Sequence, residues 1–385
     1  MTSGDEPIGR RVARWRVRRR MTQQMLADRL GRSKSWMDKV ERGVRTLDRY
    51  PVIQEIAAVL RVDPLVLLGE DRPPPSADAG PPDGVDGIRA ALARYDREPG
   101  RPVPAGEVER HLEHAWLTYQ HAHYAQVVRL LPGLLDAAQG LRAHAPELLV
   151  QAYRITSSVL VKLGEADLGW LAADRAVAVA GGDPVLAASA VVSIGQALRA
   201  LGRDRLALAA AVAAARRVVP TPETSMVHGA LLIQAALAAA GCGDTRRVGE
   251  LTARAADIAA RVGAGDDPYR TSFGPVAVEL ARVVAAVESG DAGEAVRRHE
   301  QAIRREGWRR LPAEYRAAYL LDAARGYLQI GDLRGAGRML VEADGVAPAE
   351  VRARPLARTV IAELARGRPA PAGVARLATL VGLTR

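Results

Sequence analysis

The chain has 385 residues, 48% of them hydrophobic and 25% charged, with a mean hydropathy of −0.06 and a net charge of +10. That length holds a small domain and a larger one, each with its own core, and no apolar run reaches the roughly 18 residues of a membrane span. A single cysteine, Cys242, excludes an internal disulfide framework and a multi-cysteine metal site and fits a reducing, cytoplasmic setting, and the basic N-terminus lacks the apolar stretch of a secretory signal.

Ala fills about a fifth of the chain, Phe occurs once (Phe273) and Asn is absent. Abundant Ala, Leu, Arg and Glu with few aromatics favour helices over a β-rich fold. The basic excess is uneven. Residues 1–70 carry 15 Arg/Lys against 9 Asp/Glu, and the other 315 carry 39 against 35. Charge concentrated in one small domain points to a polyanion partner, with a solvated basic face as the plainer alternative.

In chain order, Ile8, Val12 and Trp15 recur at helical spacing over Ile8–Arg18. Thr22 is a good N-cap for a short helix, Gln23–Leu30, that turns Met25, Leu26 and Leu30 inward. Gly31 follows, able to take positive φ in a tight turn. Ser33 caps a third helix, Lys34–Arg42, which Gly43 ends. Helices over Tyr50–Leu60 and Pro64–Leu68 complete a five-helix domain, residues 1–71, with a helix-turn-helix at its centre. Residues 72–84, with five Pro in thirteen positions, read as an extended linker.

This domain resembles the Cro/C1-type (XRE) helix-turn-helix family over about residues 8–70. The resemblance rests on T-Q-x-x-L-A at the second helix, G-x-S-x-S across the turn, V-E-R-G closing the third, I-A-x-x-L in the fourth and V-D-P-x-x-L in the last. It implies a third helix lying in the DNA major groove, with Lys34, Ser35 and Lys39 toward base edges. Gln23 is expected on a phosphate at the second helix N-terminus, and the capping Thr22 and Ser33 are expected at the DNA interface as well. Arg42, Arg45 and Arg49 are expected phosphate contacts, with Arg18–Arg20 as further ones. Trp36 either packs on the sugar-phosphate edge or a thymine methyl, or anchors the helix half-buried. Glu41 reads as structural, paired with Arg16, because a carboxylate beside phosphate would repel. Asp38 reads as solvent-facing or paired, and Arg11 and Arg14 read as solvated.

From residue 85 a repeat emerges. Gly164, Gly202, Gly243, Gly290 and Gly331 each follow an apolar helix and precede a polar turn and a second helix, at spacings of 38, 41, 47 and 41. A less obvious unit precedes them, with Ala122 where the glycine would stand, making about six helix pairs over residues 85–366. A break near Arg366–Pro371 sets off a helical cap, residues 367–385. The units resemble tetratricopeptide (TPR) repeats. The family's small residue before the turn appears as Ala115, Gly195, Ala236 and Ala324, its later alanine as Ala207, Ala295 and Ala336, and its aromatic as Tyr124 and Tyr327. The fold expected is therefore all-α, a five-helix domain followed by a right-handed TPR-like α-solenoid.

In that family the first helix of each pair lines a concave wall. Mapped here, the wall holds Trp116, Tyr119 and Gln120, then Gln151, Arg154 and Ser158, then Ser189, Gln196 and Arg199. Ile233, Leu237, Leu280 and Val284 follow, and finally Arg325. Such a lining suits a peptide, small-molecule or protein ligand, while the apolar stretch equally suits packing against a neighbouring helix or a second subunit. The histidines His111, His114, His121 and His123 lack the partners of a metal site, and no nucleophile elbow, Walker A loop or dinucleotide fingerprint occurs. The chain reads as non-enzymatic and cofactor-free.

The domain order resembles the XRE–TPR regulators of actinobacteria and, more distantly, the Rgg/PlcR-type quorum-sensing regulators. This implies a DNA-binding transcriptional regulator that dimerises on a two-fold repeat of double-stranded operator DNA and senses a ligand, with no membrane partner. Peptide receptors of the latter kind grip ligand backbone with Asn, which this chain lacks, so the ligand's identity stays open. The alternative is a TPR protein–protein adaptor or sequestering protein whose DNA binding is secondary.

Overall fold

In a computed structural model the described residues are 7–19, 21–44, 47, 50–60, 67, 84–94, 103–262, 267–367 and 373–383. Among them every regular element is helical, twenty α-helices and one short 3-10 helix. The chain divides into two units, Met1–Gly80 and Pro81–Arg385. The expected helix Pro64–Leu68 (apart from Leu67), the segment 72–83, Arg20, Arg45, Arg49 and the break at 368–371 lie outside the described residues.

The first unit contains α1 (Ile8–Arg18), α2 (Gln23–Arg29), α3 (Lys34–Glu41) and α4 (Tyr50–Leu60). The helices start where the sequence supplies caps. The Thr22 hydroxyl accepts from the Met25 N–H, and the Ser33 hydroxyl accepts from the Trp36 N–H, both at 3.1 Å. Between them Gly31 takes φ 62°. Val12, Leu26, Met37, Ile56, Leu60 and Leu67 are fully buried together, each contributing about 1.5–3 kcal/mol by leaving water. α1 crosses α3 so closely that a Cβ on Gly9 would fall 1.9 Å from the Val40 carbonyl oxygen. Two expectations change here. Met25 is exposed, because a two-turn helix with Leu26 and Ala27 facing the core turns position 25 outward. Arg11 is buried rather than solvated, and its Nε donates to the Leu67 carbonyl at 2.8 Å.

The second unit opens with α5 (Val85–Leu92). Six helix pairs follow: α6 (Ala105–Gln120) and α7 (Tyr124–Gln139); α8 (Pro146–Lys162) and α9 (Ala166–Ala180); α10 (Pro184–Ala200) and α11 (Asp204–Arg217); α12 (Ser225–Gly241) and α13 (Thr245–Ala259); α14 (Pro275–Glu288) and α15 (Ala292–Ala302); α16 (Ala313–Gln329) and α17 (Leu333–Val346). Three short helices end it, α18 (Pro348–Arg352), α19 (Pro355–Ala365) and α20 (Val374–Leu380). The pair turns share one device. Gly164, Gly202, Gly243, Gly290 and Gly331 all have φ between 66° and 87°, and Ala122 takes φ 59° at the corresponding place in the first pair.

The first helices of successive pairs pack side by side, and the row closes: α6 also touches α16. One core accordingly joins early residues such as Leu112, Tyr124 and Leu160 to late ones such as Leu320, Leu340 and Ile361. A second core fills the middle pairs and is dominated by alanine. Alanine lets helices approach closely but buries little area per residue, so stability there needs helices surrounded on every side. α12 meets that need, with every residue from Met226 to Ala240 buried.

Candidate nucleic-acid interface and inner wall of the array

The face of α3 away from the core is polar. Lys34, Ser35 and Lys39 are exposed while Met37 and Val40 are fully buried. Trp36 lies between these faces, half-buried against the core, with the Arg32 guanidinium 5.7 Å from its ring centre. Arg42 is exposed beside Asp38, at 3.4 Å. One carboxylate next to this surface is neutralised from within. Glu41 is 8% exposed and accepts from Arg16 Nε at 2.6 Å and Nη2 at 3.0 Å. That hydrogen bond raises the Arg16 pKa against the opposing effect of burial. Gln23, expected on a phosphate, donates to the same Glu41 at 2.8 Å. Thr22 and Ser33 are exposed caps. The resulting surface presents cations and hydroxyls, with Glu41 held by Arg16 and Asp38 beside Arg42, a polarity suited to a phosphate backbone.

In the array, the residues assigned to the inner wall fall into three groups. Around α6 and α8, Trp116, Tyr119, Arg154 and Ser158 are buried and Gln120 and Gln151 half-buried. Trp116 meets Tyr119 edge-on at 5.8 Å, and the Arg154 guanidinium stands 5.7 Å from the Trp116 ring centre. Arg154 also donates to Gln151 Oε1 at 3.0 Å. Burial lowers its pKa to about 10, with Asp267 pulling the other way. Ile233 and Leu237 sit in the alanine-rich core. Ser189 is buried and Gln196 half-buried. Arg325 pairs with Glu288 and Asp322, whose charges also reach Arg199. Arg325 donates to them at 2.7 and 3.0 Å. Burial lowers the Arg199 pKa against the attraction of those same groups. For Arg325 burial also acts to lower the pKa, but Asp322 and Glu288 outweigh it.

A buried ionic clasp lies where the row of helices closes, and local periodicity carries no sign of it. Lys162 at the end of α8 donates to Glu314 on α16 at 2.8 Å and to Glu350 on α18 at 2.6 Å. Glu350 is fully buried and also accepts from Tyr124 and from Arg354, the latter at 2.8 Å. Burial acts to raise the Glu350 pKa, but Lys162 and Arg354 hold it low. Glu314 goes the other way, raised by burial and by the neighbouring Glu350 charge. The only sequence signal was Lys162 itself, one of few lysines in an arginine-rich chain. Cys242 is exposed at a pair turn. Among the described residues no cluster of three or more His, Cys, Asp or Glu could hold a metal ion, and no helix is long and apolar enough to cross a membrane.

Residues 7–68 match the family model of a helix-turn-helix domain. The first unit carries this helix-turn-helix domain, and an array of helix pairs follows it. Among solved structures, one similar chain is PlcR of Bacillus thuringiensis, determined in complex with the peptide PapR7 and DNA. It is 11% identical, with 77% of this chain and 94% of that chain covered and a TM-score of 0.38. No curated protein matches the sequence.

Proposed function

We propose that this chain is a cytoplasmic, sequence-specific transcriptional regulator. In this reading it binds double-stranded operator DNA through α3 as a homodimer on a two-fold repeat. Lys34, Ser35 and Lys39 read bases. Thr22, Gln23, Ser33, Trp36, Arg42, Arg45 and Arg49 set register on the backbone, Gln23 by exchanging Glu41 for a phosphate. The observation that carries the reading is the exposed Lys34–Ser35–Lys39 face beside a carboxylate, Glu41, already held by Arg16. One such domain reads only a half-site, so two-fold pairing with half-sites about 10 bp apart supplies useful affinity. The inner wall of the array, from Trp116 to Arg325, is the seat of a peptide, small-molecule or protein ligand that governs DNA binding.

The test is footprinting on the DNA upstream of the protein's own gene. Two protected half-sites related by a two-fold axis are expected, with affinity falling steeply as salt rises. No protection at low salt, together with capture of one stoichiometric protein partner, would instead establish the adaptor role.

A further inference from the structure

The connection between α13 and α14 is long, and its described stretch of residues 267–273 extends beyond the helices it joins. It reaches α8, two pairs back. The Tyr269 carbonyl accepts from Arg154 Nη2 at 2.7 Å, and the Pro268 carbonyl accepts from Gln151 Nε2 at 3.4 Å. These are two of the polar side chains that the repeat phase directs to the inner wall. At its other end the Phe273 ring is buried against α12 at Gly229, where an added Cβ would fall 2.1 Å from a ring carbon. No other residue than glycine leaves room for that ring.

The segment is held by what it touches rather than by its own preference. Arg270 and Ser272 take φ of 51° and 53°, left-handed backbone that residues with a side chain rarely adopt. Asp267 braces the turn, accepting from the Ser272 N–H at 2.6 Å and from the Thr271 hydroxyl at 3.2 Å. Meanwhile the wall beneath is incompletely satisfied. Arg154 Nε and Trp116 Nε1 are buried donors with no acceptor among the described residues, on side chains 3% and 5% exposed that stack on each other. Buried donors of this kind are costly unless an acceptor arrives.

We infer that residues 267–273 are a built-in occupant of the inner-wall site, a strap displaced by an external ligand. Such a ligand offers carbonyl or carboxylate oxygens to Arg154 and Trp116 and an aromatic group to the Gly229 seat. The strap fills the site with one carbonyl at Arg154 and leaves two donors unfilled, so a ligand that satisfies all of them outcompetes it. The inference rests on reading the inner wall as a ligand site, and it is independent of operator binding.

The probe is the free heptapeptide Asp-Pro-Tyr-Arg-Thr-Ser-Phe, titrated calorimetrically into the full-length chain and into a full-length variant whose residues 267–273 are replaced by a Gly/Ser linker. The linker variant is expected to bind at least tenfold tighter than the wild type, and Arg154→Met added to it is expected to abolish that binding. Equal affinity, or no binding by a linker variant of unchanged helicity, overturns the strap. If the linker variant loses helicity, amide hydrogen exchange decides. In full-length Arg154→Met the amides of 267–273 are expected to exchange at least tenfold faster than in the wild type, with those of α12 unchanged. Unaltered exchange in 267–273 overturns the inference. Footprinting of the same proteins reports separately on the DNA-binding reading, so each failure identifies itself.

Discussion

The two units use polar side chains in opposite ways. In the helix-turn-helix unit, α3 buries Met37 and Val40 and leaves Lys34, Ser35 and Lys39 in water. In the array, α8 carries Arg154, Thr156, Ser157 and Ser158 on a helix buried without a break from Ala152 to Leu160. Both stretches mix apolar and polar residues at helical spacing. A helix at the edge of a small core keeps its polar face for a partner. A helix in a closed row is covered by its neighbours and, on α8, by residues 268–269, so its polar groups find partners inside or remain unsatisfied until an acceptor arrives. The same residue types thus mark an interface in one unit and an internal network in the other.

The largest expected effect breaks the network at its most buried point. Glu350→Ala strips Lys162 and Arg354 of a fully buried carboxylate. It is expected to destabilise the array by about 3–5 kcal/mol, the usual cost of orphaning one side of a buried pair. Chemical denaturation followed by circular dichroism measures it. An array unfolding at the wild-type midpoint would show that the clasp contributes nothing to closure. The parallel change in the first unit, Glu41→Ala, is expected to cost less, about 1–3 kcal/mol, because it strips a single cation, Arg16, which still donates to the Met21 carbonyl at 2.8 Å.

Next comes the pH dependence of the array. His299 is buried, with Nδ1 2.8 Å from the Tyr319 hydroxyl, and burial lowers its pKa from 6.5 to about 4. Below pH 6.5 the unfolded chain binds a proton that the folded chain refuses. Stability is therefore fully present above pH 6.5 and falls as pH drops toward 4, by roughly 3 kcal/mol across that window. Thermal unfolding across the window measures the slope, and His299→Phe should flatten it. A wild-type slope that persists in the variant would assign the effect to other groups.

Local chemistry was legible in the sequence and long-range closure was not. Thr22, Gly31 and Ser33 announce their caps and turn within four residues, and the turn glycines set the repeat phase so well that Ala122 was placed by analogy and does take φ 59°. By contrast, Lys162 meets Glu314 and Glu350 across 152 and 188 residues. No periodicity encodes such a pairing; it exists because α6 and α16 meet. Arg11 misled for the same reason, since its acceptor, the Leu67 carbonyl, is 56 residues away. On the inner wall the repeat phase assigned Gln151 and Arg154 a place, but gave no sign that residues 268–269 would accept from both.

The smallest effect on stability is the one that tests the exposed face. Lys34 stands in water, and Lys34→Ala at a solvent-facing position of a capped helix is expected to leave unfolding within about 0.5 kcal/mol of the wild type. Its consequence should appear only with DNA. If Lys34 reads a base edge, the substitution costs about 1–3 kcal/mol on the cognate operator and much less on sequences altered at the base pair it contacts, so specificity relaxes at one position. If it only touches a phosphate, affinity falls uniformly across sequences and the slope of log K against log salt drops by about one. Competition binding on an operator and its single-base variants, repeated at two salt concentrations, separates these outcomes. A variant that binds every sequence like the wild type would remove Lys34 from the interface and with it the contrast between an open face and a closed one.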